Sequence, residues 1–78
     1  MKIDDIKTKE DLSEFIKVLM NEYNKDDWEN NNIPDFLEAM SAWIIDMDGY
    51  YKNNGKDIPN KPDWKTFAEI LKASTMYE

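Results

Sequence analysis

Eight large apolar side chains recur at helical spacing between residues 33 and 52, and this periodicity constrains the fold more than any other feature. At 100° per residue they fall within one arc of about 140°, while polar and acidic residues occupy the rest of the helix. The eight are Phe36, Leu37, Met40, Trp43, Ile44, Met47, Tyr50 and Tyr51. The pattern predicts an amphipathic helix over about 33–52, at the centre of a helical domain.

Two shorter segments show the same apolar spacing of i, i+3, i+4 and i+7. The first predicts a helix over about 9–24, with Thr8 and Asp11 as its capping pair. The second predicts a helix over about 63–77 that Asp63 can cap, after a loop rich in Asn, Gly and Pro.

Ile3 and Ile6 precede the first helix and predict an extended N-terminal arm that packs on the core. The chain has 78 residues, which suits one domain, and no linker divides it. The sequence therefore predicts an all-α fold with three main helices in a single domain, 1–78.

The absence of cysteine, histidine and arginine restricts the chemistry of the chain. Without cysteine there is no disulfide or thiolate ligand, and without histidine there is neither the commonest metal ligand nor the usual general base. All ten basic residues are lysines, so no guanidinium can clamp a phosphate. We expect no enzymatic activity, no cofactor and no bound metal.

The segment from Asp46 to Asp57 resembles a calcium loop because closely spaced acids precede a glycine, but the register fails. With Gly49 at the sixth position, the first position is Ile44 and the twelfth is Gly55, neither of which supplies a side-chain ligand. Asp46 and Asp48 diverge by about 200° on a helix, so they do not form a catalytic carboxylate pair either. The sequence favours a helix that ends in a polar turn.

Negative charge is concentrated in one part of the chain. Residues 22–48 contain eight acids and only Lys25 as a base, a net charge of −7 that equals the charge of the whole protein. Such a field disfavours nucleic acid and anionic membranes and favours a basic protein partner. The alternative is a surface that only keeps the protein in solution.

Within this region we expect acidic residues to contact the partner. Ile45, on the polar face of the helix, is either an ordinary exposed apolar residue, which we favour, or the apolar centre of this contact face. Trp28 has two interpretations: a plug that closes one end of the core, which we favour, or an aromatic anchor presented to the partner. The candidate contact residues are Asp26, Asp27, Trp28, Glu29, Glu38, Ile45, Asp46 and Asp48.

No apolar stretch is long enough to cross a bilayer, and the first eleven residues lack the apolar core of a signal peptide. We therefore expect a cytoplasmic protein. The use of lysine alone as the base, together with many asparagines, suits an AT-rich bacterial genome.

Three motifs in order, "WEN" (28–30), "FLEAMSAWIID" (36–46) and "DWKTFAEILKASTMYE" (63–78), resemble a family of short bacterial proteins catalogued as a domain of unknown function. The resemblance covers nearly the whole chain and implies a helical fold. It implies no catalytic residue.

These observations lead to two main functional hypotheses, and the missing histidine, cysteine and arginine argue against a third, a small enzyme or metal binder. The first is a small protein-binding module, an inhibitor or immunity protein whose acidic region, 22–48, engages a basic partner. The second is a self-associating structural protein, in which aromatic residues beyond the needs of the core form a homodimer.

Overall fold

The computed structural model describes residues 2–23 and 26–77. A single 3₁₀ turn, Ile3–Asp5, precedes three helices, α1 (Lys9–Glu22), α2 (Ile33–Asn53) and α3 (Trp64–Ser74). The described ranges contain no strand, which confirms the predicted all-α fold. Asn24, predicted as the end of the first helix, lies outside the described residues, as does Lys25.

Side chains cap the N-terminus of each helix. Thr8 and Asp11 form the predicted capping box, since each side chain accepts the backbone N–H of the other at 3.1 and 3.2 Å. Of the three consecutive asparagines, Asn32 is the cap of α2. Asp63 caps α3 by accepting from the backbone N–H of Thr66 at 2.7 Å.

Helix α2 ends in a Schellman motif. The N–H of Lys56 donates to the carbonyl of Tyr51 at 2.9 Å, and that of Gly55 donates to the carbonyl of Lys52 at 3.2 Å. Gly55 has a φ of 66°, a left-handed conformation that glycine adopts without strain. Residues 56–63 then connect this turn to α3.

Helix α3, rather than α2, is the central element. It packs against α1, α2 and the 3₁₀ turn. Its buried face consists of small and polar residues, with Ala68 fully buried, while Trp64 and Phe67 on its apolar stripe remain about 42% exposed. A helix with neighbours on several sides needs short side chains that allow close approach, which explains why its aromatic residues lie at the edge.

The core lies between α1, α3 and the N-terminal segment. Its buried cluster is Ile6, Phe15, Leu19 and Ala68, and Ile3, Leu12, Trp28 and Leu71 pack around it. The predicted arm does pack on the core, but residues 3–5 form a 3₁₀ turn instead of an extended strand. Residues at i and i+3 of such a turn point the same way, so Ile3 and Ile6 both reach the core.

Helix α3 ends at Ser74, three residues before the predicted end, and a turn follows. In the part of the chain that the structure describes, none of the helices is long and apolar enough to cross a membrane.

Candidate partner-binding surface

An apolar groove, here called the Trp28 groove, opens between the end of α1, the connection to α2 and the first turns of α2. It has a volume of about 390 Å³ and is lined by Tyr23, Trp28, Asn30, Asn31, Asn32, Ile33, Phe36 and Leu37. Ile33 is 75% exposed and Leu37 is 54% exposed. The groove therefore presents aliphatic side chains at its edge and aromatic rings inside.

Trp28 forms the inner wall of the groove. Its ring stacks on Phe36 with centroids 6.3 Å apart and meets the ring of Tyr23 edge-on at 5.1 Å. It also packs against the core cluster, and the Tyr23 hydroxyl donates to the carbonyl of Asn31 at 3.1 Å. Trp28 thus lies between the core and the groove, which is compatible with both interpretations of this residue.

Asn30 attaches the same connection to the end of α3. Its side-chain amide donates to the carbonyls of Ser74 and Tyr77 at 3.0 and 2.8 Å, and its backbone N–H donates to the carbonyl of Thr75 at 3.0 Å. The last carbonyls of a helix lack partners within the helix, so these bonds explain why α3 can end at Ser74. They also fix Trp28 two residues away.

On the other side of α2, acidic residues line a second, smaller cavity of about 330 Å³. It contains Glu29, Asp35, Glu38 and Tyr77, and it shares Asn30 with the Trp28 groove. The structure therefore brings Glu29 and Glu38 together, and it adds Asp35, which the sequence analysis did not select. Asp26 and Asp27 are exposed directly before Trp28.

The remaining predicted residues lie further along α2. Asp46 accepts a hydrogen bond from the Tyr77 hydroxyl, and this bond raises the pKa of Tyr77. Ile45 is 80% exposed. Asp48 lies about 200° from Asp46 around the helix, so the two do not share a face.

The exposed apolar surface is centred elsewhere than on Ile45. Ile33, Leu37 and Ile44 fall within about 40° of one another on α2 and are all exposed, whereas Ile45 projects from a different side. Within the described residues no three carboxylates approach closely enough to hold a metal ion. The acidic side chains are therefore spread around α2 and do not form a chelating cluster.

Asn30 and Tyr77 are the residues with structural roles here that the sequence analysis missed. Both occur in quoted motifs, and an Asn two residues after an aromatic anchor is a recognisable signal, since Asn side chains in loops often bond to backbone groups. No local signal points to the contact between Tyr77 and Asp46, which are 31 residues apart.

The fold and this surface define a small all-α domain with an apolar groove bordered by acids. The chain belongs to the family of unknown function DUF7660, whose family model matches residues 8–78. This match confirms the stated resemblance to a domain of unknown function. No curated protein and no solved structure shows significant similarity to the chain.

Proposed function

We propose that this protein is a non-catalytic binding module of the bacterial cytoplasm, of the inhibitor or immunity type, which engages a basic protein through the Trp28 groove and its acidic border. One observation carries the proposal. Ile33 and Leu37 are exposed at an aromatic groove, and they belong to a stretch, 26–48, that contains seven acids and no lysine.

The apolar part of this surface supports a site that binds through a few anchors. Burying an Ile or Leu side chain contributes about 1.5–3 kcal/mol, and apolar anchors surrounded by polar residues are typical of interface hot spots. The rings of Trp28 and Phe36 form a pre-organised wall of the groove, because they already stack on each other. A partner segment with one or two apolar side chains would fit this groove.

The acidic part of the surface supports a partner of opposite charge. Asp26 and Asp27 border the groove along the chain, and Glu29, Asp35 and Glu38 line the neighbouring cavity. Opposite charges accelerate association and give it a dependence on salt. We therefore expect the bound segment to carry lysine or arginine beside its apolar anchors.

A homodimer through the same surface is the alternative function, and the exposed stripe of Ile33, Leu37 and Ile44 favours it. A two-fold dimer, however, places the same patch of both copies face to face, so the acids would oppose acids. Sedimentation at low and high salt distinguishes the two hypotheses. We expect a monomer of 9.3 kDa at both salt concentrations. A dimer that forms at low and at high salt alike would support self-association instead.

The proposal can be tested with a displayed library of random peptides selected on the intact protein, followed by titration calorimetry of the selected sequences. We expect peptides with net positive charge and apolar anchors. The double substitution Ile33→Ser and Leu37→Ser should weaken their binding at least about tenfold, since it removes two apolar contacts. The matched control is Ile58→Ser, an exposed isoleucine outside the groove.

A second pair of variants tests the charge. Asp26→Asn with Asp27→Asn should weaken binding at low salt more than at high salt, because screening already reduces the attraction at high salt. Asp5→Asn with Glu10→Gln removes the same charge outside the acidic stretch and should have little effect. Selection of neutral or acidic peptides, or equal affinity of groove and control variants, would refute the proposal.

A further inference from the structure

Glu69 is a buried acid outside the proposed partner surface. It lies in the middle of α3 and is only 7% exposed. Within the described residues, no ion pair involves its carboxylate, which interacts instead with the Tyr51 hydroxyl. Buried charges are normally paired, because removing a carboxylate from water without a partner costs free energy.

Tyr51 is the second buried polar group at this place. It is 3% exposed, and among the described residues its buried hydroxyl makes no hydrogen bond of ordinary length and angle. Burial raises the pKa of Tyr51, and so do the nearby charge of Glu69 and a weak hydrogen bond to the Glu69 carboxylate. The neutral phenol and the carboxylate are therefore neighbours, and each keeps unused hydrogen-bonding capacity.

Both groups line one cleft, here called the Glu69 cleft, between α3 and the loop after α2. Its volume is about 600 Å³, within the range of small-ligand sites. The Schellman turn at Gly55 and the cap at Asp63 fix the two ends of the loop that forms its outer wall. The loop is therefore held over Tyr51 by local backbone geometry.

A neighbouring cavity of about 480 Å³ shares Glu69 and Lys56 with this cleft and adds aromatic walls from Trp43 and Tyr50. The Lys56 ammonium lies 5.5 Å from the centre of the Tyr50 ring. A cation over an aromatic face is an attractive arrangement. The Lys56 ammonium therefore lies over Tyr50 at the junction of the two cavities, which Glu69 also lines.

The charges around the Glu69 cleft balance. Lys56, Lys61 and Lys65 face Asp57, Asp63 and Glu69 in its lining. Lys65 is already paired with Asp4 at 3.2 Å, and this bond raises the pKa of Lys65. The lining therefore has no excess of positive charge that would exclude a cationic ligand.

We propose that a guanidinium group, free or as an arginine side chain, binds where the Glu69 cleft meets the neighbouring cavity, pairs with the Glu69 carboxylate, donates to the Tyr51 hydroxyl oxygen and takes the place of Lys56 over Tyr50. A guanidinium is planar, presents several N–H donors in a fixed fork and stacks on aromatic rings, so it can bind the carboxylate and the hydroxyl oxygen at once. The site lies on the second half of α2, the following loop and α3. It does not depend on the Trp28 groove.

The test is titration of the intact, ¹⁵N-labelled protein with methylguanidinium, followed by amide chemical shifts. We expect saturating shifts centred on Tyr51, Lys56 and Glu69. Methylammonium should bind more weakly because it has fewer donors, and acetate should not compete. A short peptide containing arginine, titrated in parallel, distinguishes a free guanidinium compound from an arginine side chain as the preferred source.

Three variants make the test specific. Glu69→Gln and Tyr51→Phe should each weaken methylguanidinium binding, Glu69→Gln by about tenfold or more, because each removes one partner of the ligand. Lys56→Gln should strengthen binding, because it removes the competing cation. Thermal unfolding of each variant verifies that it is folded.

The matched control is Glu38→Gln, which removes a charge at the proposed partner surface and should leave methylguanidinium binding unchanged. The experiment can therefore refute the guanidinium site without refuting the proposed partner surface, and the peptide selection can refute the partner surface without refuting the guanidinium site. Absence of saturation, a response to acetate equal to that to methylguanidinium, or weaker binding by Lys56→Gln would overturn the guanidinium site.

Discussion

Asn30 joins two parts of the chain that are distant in sequence. Its side-chain amide donates to carbonyls 44 and 47 residues away, and its backbone N–H donates to a third carbonyl in the same turn. Trp28, two residues earlier, packs on the core and on Phe36. The connection before α2 is therefore fixed by a polar clamp on one side and an aromatic contact on the other.

Replacing Asn30 with Ala should lower the free energy of unfolding by about 1–3 kcal/mol, because two partly buried carbonyls lose their donor. Urea unfolding measures the change. The control is Asn60→Ala, an exposed loop asparagine, for which we expect a change within about 0.5 kcal/mol. Equal effects of the two substitutions would contradict the role assigned to Asn30.

The capping residues could be identified from the sequence because their bonds span only three positions. Thr8, Asp11 and Asp63 all act as predicted. Asn32 could not be separated from its neighbours in advance, since Pro34 restricts the residue before it and any of three asparagines could cap. Long-range contacts such as those of Asn30 carry no such periodic signal.

At the scale of the elements, the helix caps give the fold a dependence on pH. Hydrogen bonds from the Lys7 N–H lower the pKa of Asp11, and those from Thr66 lower the pKa of Asp63. A carboxyl whose pKa is lower in the folded state stabilises the fold above its unfolded pKa of about 3.9. That contribution is lost as the pH falls through the lower folded value.

The substitution Asp63→Asn should therefore separate the contribution of the carboxylate charge to stability from the contribution of the helix cap. Asparagine caps a helix about as well as aspartate but does not titrate, so we expect stability near that of the wild type at pH 7 and a weaker loss below pH of about 4. Asp63→Ala should cost about 1 kcal/mol at neutral pH. Unfolding by urea across this pH range tests both expectations, with Asp57→Asn as the control in the same loop.

Helix α2 shows how packing selects among apolar residues. Its apolar arc is continuous in the sequence, yet Trp43 and Tyr51 are buried while Leu37 and Ile44 remain exposed. Among the described residues, α3 is the one helix that makes an extensive contact with α2. The uncovered part of the arc is the part on which the proposed partner surface depends.

At the scale of the whole molecule, the charge is divided unevenly. The net charge of −7 is confined to residues 22–48, and the rest of the chain is balanced. The three ion pairs recorded among the described residues are partly or fully exposed, so they contribute little to stability. Repulsion among the acids should therefore dominate the response to salt.

Raising the NaCl concentration from low to moderate values should raise the Tm, because screening weakens that repulsion. Calorimetry over a salt series measures the effect. Asp26→Asn with Asp27→Asn should reduce the salt dependence, whereas the balanced-region control, Asp5→Asn with Glu10→Gln, should reduce it less. A Tm that falls with added salt would mean that favourable ion pairs outweigh the repulsion.

The sequence by itself determined three amphipathic helices, their caps and the acidic region, because these features depend on residue types and on spacings of three or four positions. Only the tertiary structure decided that α3 is central, that Asn30 holds its end, and that Tyr51 and Glu69 meet in one cleft. The reason is physical. Helical periodicity states which face of a helix is apolar, but which part of that face is covered depends on contacts between residues far apart in the chain.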